Sequence, residues 1–183
     1  MTVPSDVREL VALLPGMGVE PAIVEKVASQ WPVVFISYRW SSQEHIQWVA
    51  GLAAQVKTRG YEVCYDRDMS SDDTRMTVPE LVANLAKCNV FLPVLSHEYT
   101  VAVEPDEMFT ASFVSIGVDE DAWVYDEYRV ARQLSAAGRI QWLPLWRSGA
   151  SLPSPFYEGN VVDVRMDGQL LPALDRYFPR LKR

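Results

Sequence analysis

The apolar positions of this chain change period along its length. Residues 32–37, PVVFIS, form a continuous run of β-branched and aromatic side chains, which predicts a strand buried on both faces. Ile46, Val49, Leu52, Ala53 and Val56 then recur at helical spacing. They follow SSQE at 41–44, which reads as a capping box, and they stop near Gly60. YEVCY at 61–65 is a second strand, 66–76 a polar irregular loop, and Thr77 and Pro79 open a helix with Leu81, Val82 and Leu85 as its stripe. NVFLPVLS at 89–96 is a third strand, in which Pro93 removes one ladder hydrogen bond. Residues 97–121 read as a long connection with a short helix around Met108 to Ile116. A helix then starts at Trp123, carries Val130 and Leu134 on its apolar face, and stops at Gly138. IQWLPLW at 140–146 is a fourth strand, NVVDV at 160–164 a short fifth, and Leu170, Leu174 and Tyr177 mark a final helix.

Strands alternating with helices predict an α/β fold, a five-stranded parallel sheet with helices on both faces. The first 30 residues differ. Val7, Leu10, Val11 and Leu14 share a helical face behind Ser5 or Asp6, PGMG stops it, and Ile23, Val24 and Val27 form a second stripe. This predicts a helical hairpin over 1–30 ahead of a main domain over 31–183, serving as a cover for that domain or as a docking element. The working groups of a parallel α/β sheet sit at the carboxyl ends of its strands. That rule nominates Ser37-Tyr38-Arg39-Trp40, Asp66-Arg67-Asp68 and Ser96-His97-Glu98.

Charge and composition narrow the chemistry. A net charge of -7 on 183 residues argues against a nucleic-acid binder, which needs a basic face. No run is long enough to cross a membrane and MTVPSD has no basic leader, so the expectation is a cytoplasmic protein. Cys64 and Cys88 fall in segments that read as buried and are expected to be free, reduced thiols. His45 and His97 stand far apart and no cysteines sit at ligand spacing, so no metal site is expected. GxGxxG, GxxxxGK[ST] and GxSxG are all missing, which removes dinucleotide-fold, phosphate-loop and serine-hydrolase readings and leaves carboxylates.

Asp119, Glu120, Asp121, Asp126 and Glu127 lie close together with no Lys or Arg among them. Acids belong in the first turn of a helix, opposite the positive end of its dipole, which accounts for Asp121 and Asp126. It accounts less well for Glu127, whose neighbours at three and four positions are Trp123, Val124, Val130 and Ala131. A carboxylate there is partly desolvated and beside like charge. Both effects raise its pKa and mark it as a functional candidate.

In order and spacing, VVFISYRW, GYEVCYDRD, CNVFLPVLSHEY and AWVYDEYRVA resemble the Toll/interleukin receptor (TIR) domain, and SSQEHIQWVAGLA is similar to the first helix of the related SEFIR branch. The resemblance spans about 32–145 and thins toward the end. It implies a flavodoxin-like sheet, and it implies cleavage of NAD+ into nicotinamide and ADP-ribose or a cyclic variant. Trp123 and Glu127 match the family's W-x-x-x-E setting of the catalytic glutamate, Ser37, Tyr38 and Arg39 its cleft rim, and 66–76 its mobile loop. NAD+ is then a substrate, no cofactor is required, and Trp40, Trp123, Arg39, Asp66 and Ser96 join the binding set. The family context is bacterial immunity, with self-assembly into homo-oligomers and a protein partner on the hairpin. Three features depart from the family pattern: the loop lacks the Pro-Gly of receptor adaptors, PFYEGN stands near the usual Phe-Trp motif, and the 97–121 connection is longer than usual, as a lid or an oligomer contact would require. The alternative is a non-enzymatic interaction scaffold in which Glu127 is an ordinary helix acid.

Overall fold

The computed structural model describes residues 18, 20, 32–65, 78–103, 120–149 and 161–181. The hairpin expected over 1–30, Asp66 with the polar loop, and the helix expected around 108–116 lie outside the described residues. Residues 33–183 form one compact unit.

Its elements alternate as the apolar pattern requires. β1 (Val33–Ser37) leads to α1 (Gln43–Thr58), β2 (Glu62–Tyr65), α2 (Val78–Leu85) and β3 (Val90–Leu95). There follow α3 (His97–Val103), α4 (Glu120–Ala136), β4 (Gln141–Trp142), β5 (Leu145–Trp146), β6 (Val162–Asp163) and α5 (Leu170–Tyr177). Among the described residues the pairings are parallel, in the order β2-β1-β3-β5-β6, with β4 also paired to β3.

The expected fourth strand is divided in two. Paired positions run Phe91↔Trp142 and then Val94↔Leu145. Pro93 and Pro144 both fall in the gap, and neither has an N–H to give the ladder. The segment still tracks β3 throughout, since Leu143 N donates to Phe91 O and Arg147 N to Leu95 O.

Side chains alternate across each strand, and the alternation sorts the core into two layers. Val34 and Ile36 of β1 and Val90, Leu92 and Val94 of β3 meet Val49, Leu52, Ala53 and Val56 of α1 and Leu174 of α5. Val33, Phe35 and Phe91 point the other way, to Leu81 and Leu85 of α2 and Ala131 of α4. Phe35 and Phe91 stack at 5.8 Å between ring centres. Cys64 and Cys88 are buried and form no disulfide.

Three expectations are corrected. Residues 97–103 are helix, not connection: Ser96 Oγ caps the first turn by accepting from Tyr99 N–H (3.2 Å), and Tyr99, Ala102 and Val103 supply a buried face at helical spacing. α4 begins at Glu120, three residues before the expected Trp123, so Asp126 and Glu127 stand beyond its first turn, where the dipole argument no longer reaches. The cap of α1 is Ser42, whose Oγ accepts from His45 N–H (3.1 Å), so the capping box is displaced by one position and Glu44 is not its reciprocal partner.

Candidate functional site: a buried carboxylate at the end of β1

Ser37 is the last residue of β1 and continues the odd-numbered face of Phe35, toward α4. Glu127 of α4 meets it there. The Ser37 hydroxyl donates to Glu127 Oε2 at 2.5 Å, and both residues are buried, Glu127 at 3% exposure. A third group joins them: Tyr99 of α3, with no exposed surface, has its hydroxyl 3.0 Å from Ser37 Oγ. Ser37 has one proton and gives it to the carboxylate, so Tyr99 is the donor in this second bond. The order is Tyr99 O–H to Ser37 O–H to Glu127. Charge-assisted bonds of this kind are short and about twice as strong as neutral ones. Burial, together with the negative charge of Glu127, holds the Tyr99 phenol well above its ordinary range, against the opposing bond to Ser37; the phenol therefore stays protonated and able to donate.

The remaining candidates divide. Tyr38, one residue on from Ser37, faces the opposite layer, packed with α1 and lying 6.1 Å from His45 and 6.5 Å from Tyr65 between ring centres. Arg39 is half-buried, and Trp40 is exposed at 43%. Ser96 is buried as the cap of α3 and reaches the Tyr99 backbone. Trp123 is half-buried against the cluster of Phe35, Leu81 and Phe91, which makes it part of the core beneath the site. Asp66 lies outside the described residues. Ser37, Ser96 and Glu127 therefore gather around α3, while Tyr38 belongs to the other face of the sheet.

The model of the TIR domain family matches residues 34–171. The chain belongs to the TIR domain family. Comparison with curated proteins gives no match. Among solved structures, a prokaryotic SEFIR domain is similar with a TM-score of 0.57 at 20% identity, over 80% of this chain and 98% of that one. The TIR domains of the activated Roq1 resistosome, described as directly recognizing the pathogen effector XopQ, are similar with a TM-score of 0.44 at 16% identity, over 63% of this chain and 57% of that one. The first of these likenesses agrees with the α/β parallel-sheet architecture of this TIR domain. Among its described residues, no helix is long and apolar enough to cross a membrane.

Sequence reasoning missed Tyr99. The signal was available in Ser96 as a cap followed by apolar positions at 99, 102 and 103, but it lay inside a segment read as a connection. His45 and Arg147 were missed as well. They line one end of the sheet from elements about one hundred positions apart, and nothing local marks the juxtaposition.

Proposed function

We propose that this TIR domain is an NAD+ glycohydrolase acting in cytoplasmic bacterial defence signalling, with Glu127 as its catalytic carboxylate. One observation carries the reading: a buried glutamate at the carboxyl end of the first strand, oriented by a hydroxyl donor at 2.5 Å. Carboxyl ends of strands are where parallel α/β sheets bind ligands.

The chemistry suits a lone carboxylate. The bond between nicotinamide and the ribose C1 breaks with its electron pair going to the pyridinium nitrogen, so nicotinamide leaves neutral and no general acid is needed. The positive charge passes to an oxocarbenium-like ribose, which a fixed anion in a water-poor site stabilises. Water then adds to C1 and releases a proton, giving ADP-ribose; attack by a nitrogen of the adenine gives the cyclic variant. Ser37 and Tyr99 are positioning residues, holding Glu127 through Oε2. Trp40, being exposed, is available to stack on a base, and half-buried Arg39 stands next to it as a cation at the same strand end. Self-assembly of several copies would complete and switch on such a site.

A second reading is favoured by the same burial. A glutamate at 3% exposure that ties α4 to β1 also serves as a tether in a non-enzymatic interaction scaffold. The two readings separate in one experiment: concentrated protein is incubated with NAD+ and nicotinamide is followed by chromatography, beside Glu127→Gln. Release by the wild type that is lost in the variant supports the enzyme. No release at any protein concentration overturns it, and release undiminished in the variant removes Glu127 from the chemistry.

A further inference from the structure

The long connection expected after β3 opens with α3, and α3 stands over the carboxylate. Its inner side chains, Tyr99, Ala102 and Val103, pack with Val124 and Tyr128 of α4, three positions before Glu127 and one after it. The Tyr99 hydroxyl closes this contact on Ser37 Oγ, which in turn holds Glu127 Oε2. All three groups are sealed, Ser37 at 1% exposure and Tyr99 with none. Reacting groups must come within about 3–3.5 Å of one another. No nucleotide comes that close to a side chain so covered. Glu127 is well oriented in this state, and shut.

The two helices around Glu127 are held very differently. α4 is 17 residues long and sets Val130, Ala131 and Leu134 into the cluster of Phe35, Leu81 and Phe91. α3 has seven residues, too few for a helix to persist on its own. Its His97, Glu98 and Val101 are exposed, so it is packed along one face. Its first turn also borders a cleft of about 190 Å³, with Ser96, Glu98 and Arg147 in the wall. Elements with few buried contacts open locally, at a free energy below that of global unfolding. α3 is the easier of the two to move. Moving it takes Tyr99 away, while Ser37 and Glu127 stay in place on β1 and α4.

We propose that α3 is a cover over Glu127, latched by the Tyr99 hydroxyl, and that its lifting exposes the carboxylate. The latch is a single bond between two neutral hydroxyls, whose net strength is modest. Ser37 keeps its bond to Oε2 throughout, so the anion stays oriented when the cover is open. The cover follows from packing and burial alone. That its lifting gates catalysis rests on Glu127 being the catalytic carboxylate.

The test uses two substitutions at Val101, which is 59% exposed on α3 and apart from the latch. Val101→Gly weakens the helix and Val101→Ala strengthens it. Amide exchange of the full chain is followed by NMR. Glu127 is labelled in parallel with a water-soluble carbodiimide and glycinamide, with half-buried Asp126 as the reference. The amides of residues 100–103 are expected to exchange before those of 130–134. Labelling of Glu127 follows α3, and both run about fivefold faster in Val101→Gly than in Val101→Ala, with the α4 amides unchanged. Nicotinamide release falls in the same order. Exchange of α3 and α4 at one rate, or Glu127 labelling indifferent to the two substitutions, overturns the cover. Labelling that follows them while release ignores them shows that NAD+ reaches Glu127 by another way, and overturns the gate. Labelling in the expected order with no nicotinamide from any form supports the cover and counts against the catalytic reading alone.

Discussion

The two faces of this sheet end treat polar groups in opposite ways. On the α4 face, Tyr99, Ser37 and Glu127 close on one another with every hydroxyl proton directed toward the carboxylate. On the α1 face, among the described residues, His45 Nε2 and Arg147 Nε are sealed from water with no acceptor. The first arrangement is internally satisfied and holds a charge in place. The second leaves two donors unsatisfied, at a cost of about 1–3 kcal/mol each. The division follows from strand geometry: Ser37 and Tyr38 are adjacent in sequence, yet the two-residue period sends them into different layers. A motif quoted as one word, SYR, thus serves two layers of the core.

The comparison can be broken by substitutions on either face. The largest effect is expected from Glu127→Gln, which lowers nicotinamide release on the order of a hundredfold or more while the protein stays folded by circular dichroism. If the folded signal is lost together with the release, Glu127 serves as a tether between α4 and β1. Next is Ser37→Ala, which takes a donor from Glu127 and an acceptor from Tyr99. It should destabilise the fold by about 1–3 kcal/mol, read from urea midpoints. Tyr99→Phe keeps the ring and the Ser37–Glu127 bond and removes one donor, so about 0.5–1.5 kcal/mol is expected in the same assay. A Tyr99→Phe loss larger than that of Ser37→Ala would reverse the assigned order of donors.

The smallest effect belongs to the α1 face. Burial holds the His45 imidazole below its ordinary 6.5 and Arg147 adds to the fall, while Glu98 opposes it. The unfolded chain therefore takes up a proton near pH 6.5 that the folded chain resists. Stability is full above that pH and declines as the pH drops through it. His45→Gln should flatten this part of the profile between about pH 8 and about pH 5. Glu98 adds its own loss at lower pH, so the difference between the two proteins is the measurement.

Legibility in the sequence followed the range of each interaction. β1, β2 and β3 were readable because their apolar runs are continuous, and α1 because its stripe and Gly60 stop agree, although its cap fell one residue later than expected. Gly60 sits at φ 96°, a conformation that glycine adopts without a Cβ penalty, directly under the Leu181 side chain. The divided fourth strand was less readable, since Pro93 and Pro144 matter only once the two runs are placed side by side. Glu127 was singled out by its neighbours on the helix, but its partner lies 90 positions away and its second support 28. The odd-numbered face of β1 could be counted from Phe35. That α3 and α4 cover that face could not.

The line of hydroxyls beside Glu127 has one more property. Its two protons, on Tyr99 and Ser37, are enclosed, and each can trade with deuterium only when the layer of α3 and α4 parts from the sheet. They form a clock. The rate at which they vanish from a proton spectrum in heavy water counts how often the carboxylate meets bulk solvent, without any substrate being present.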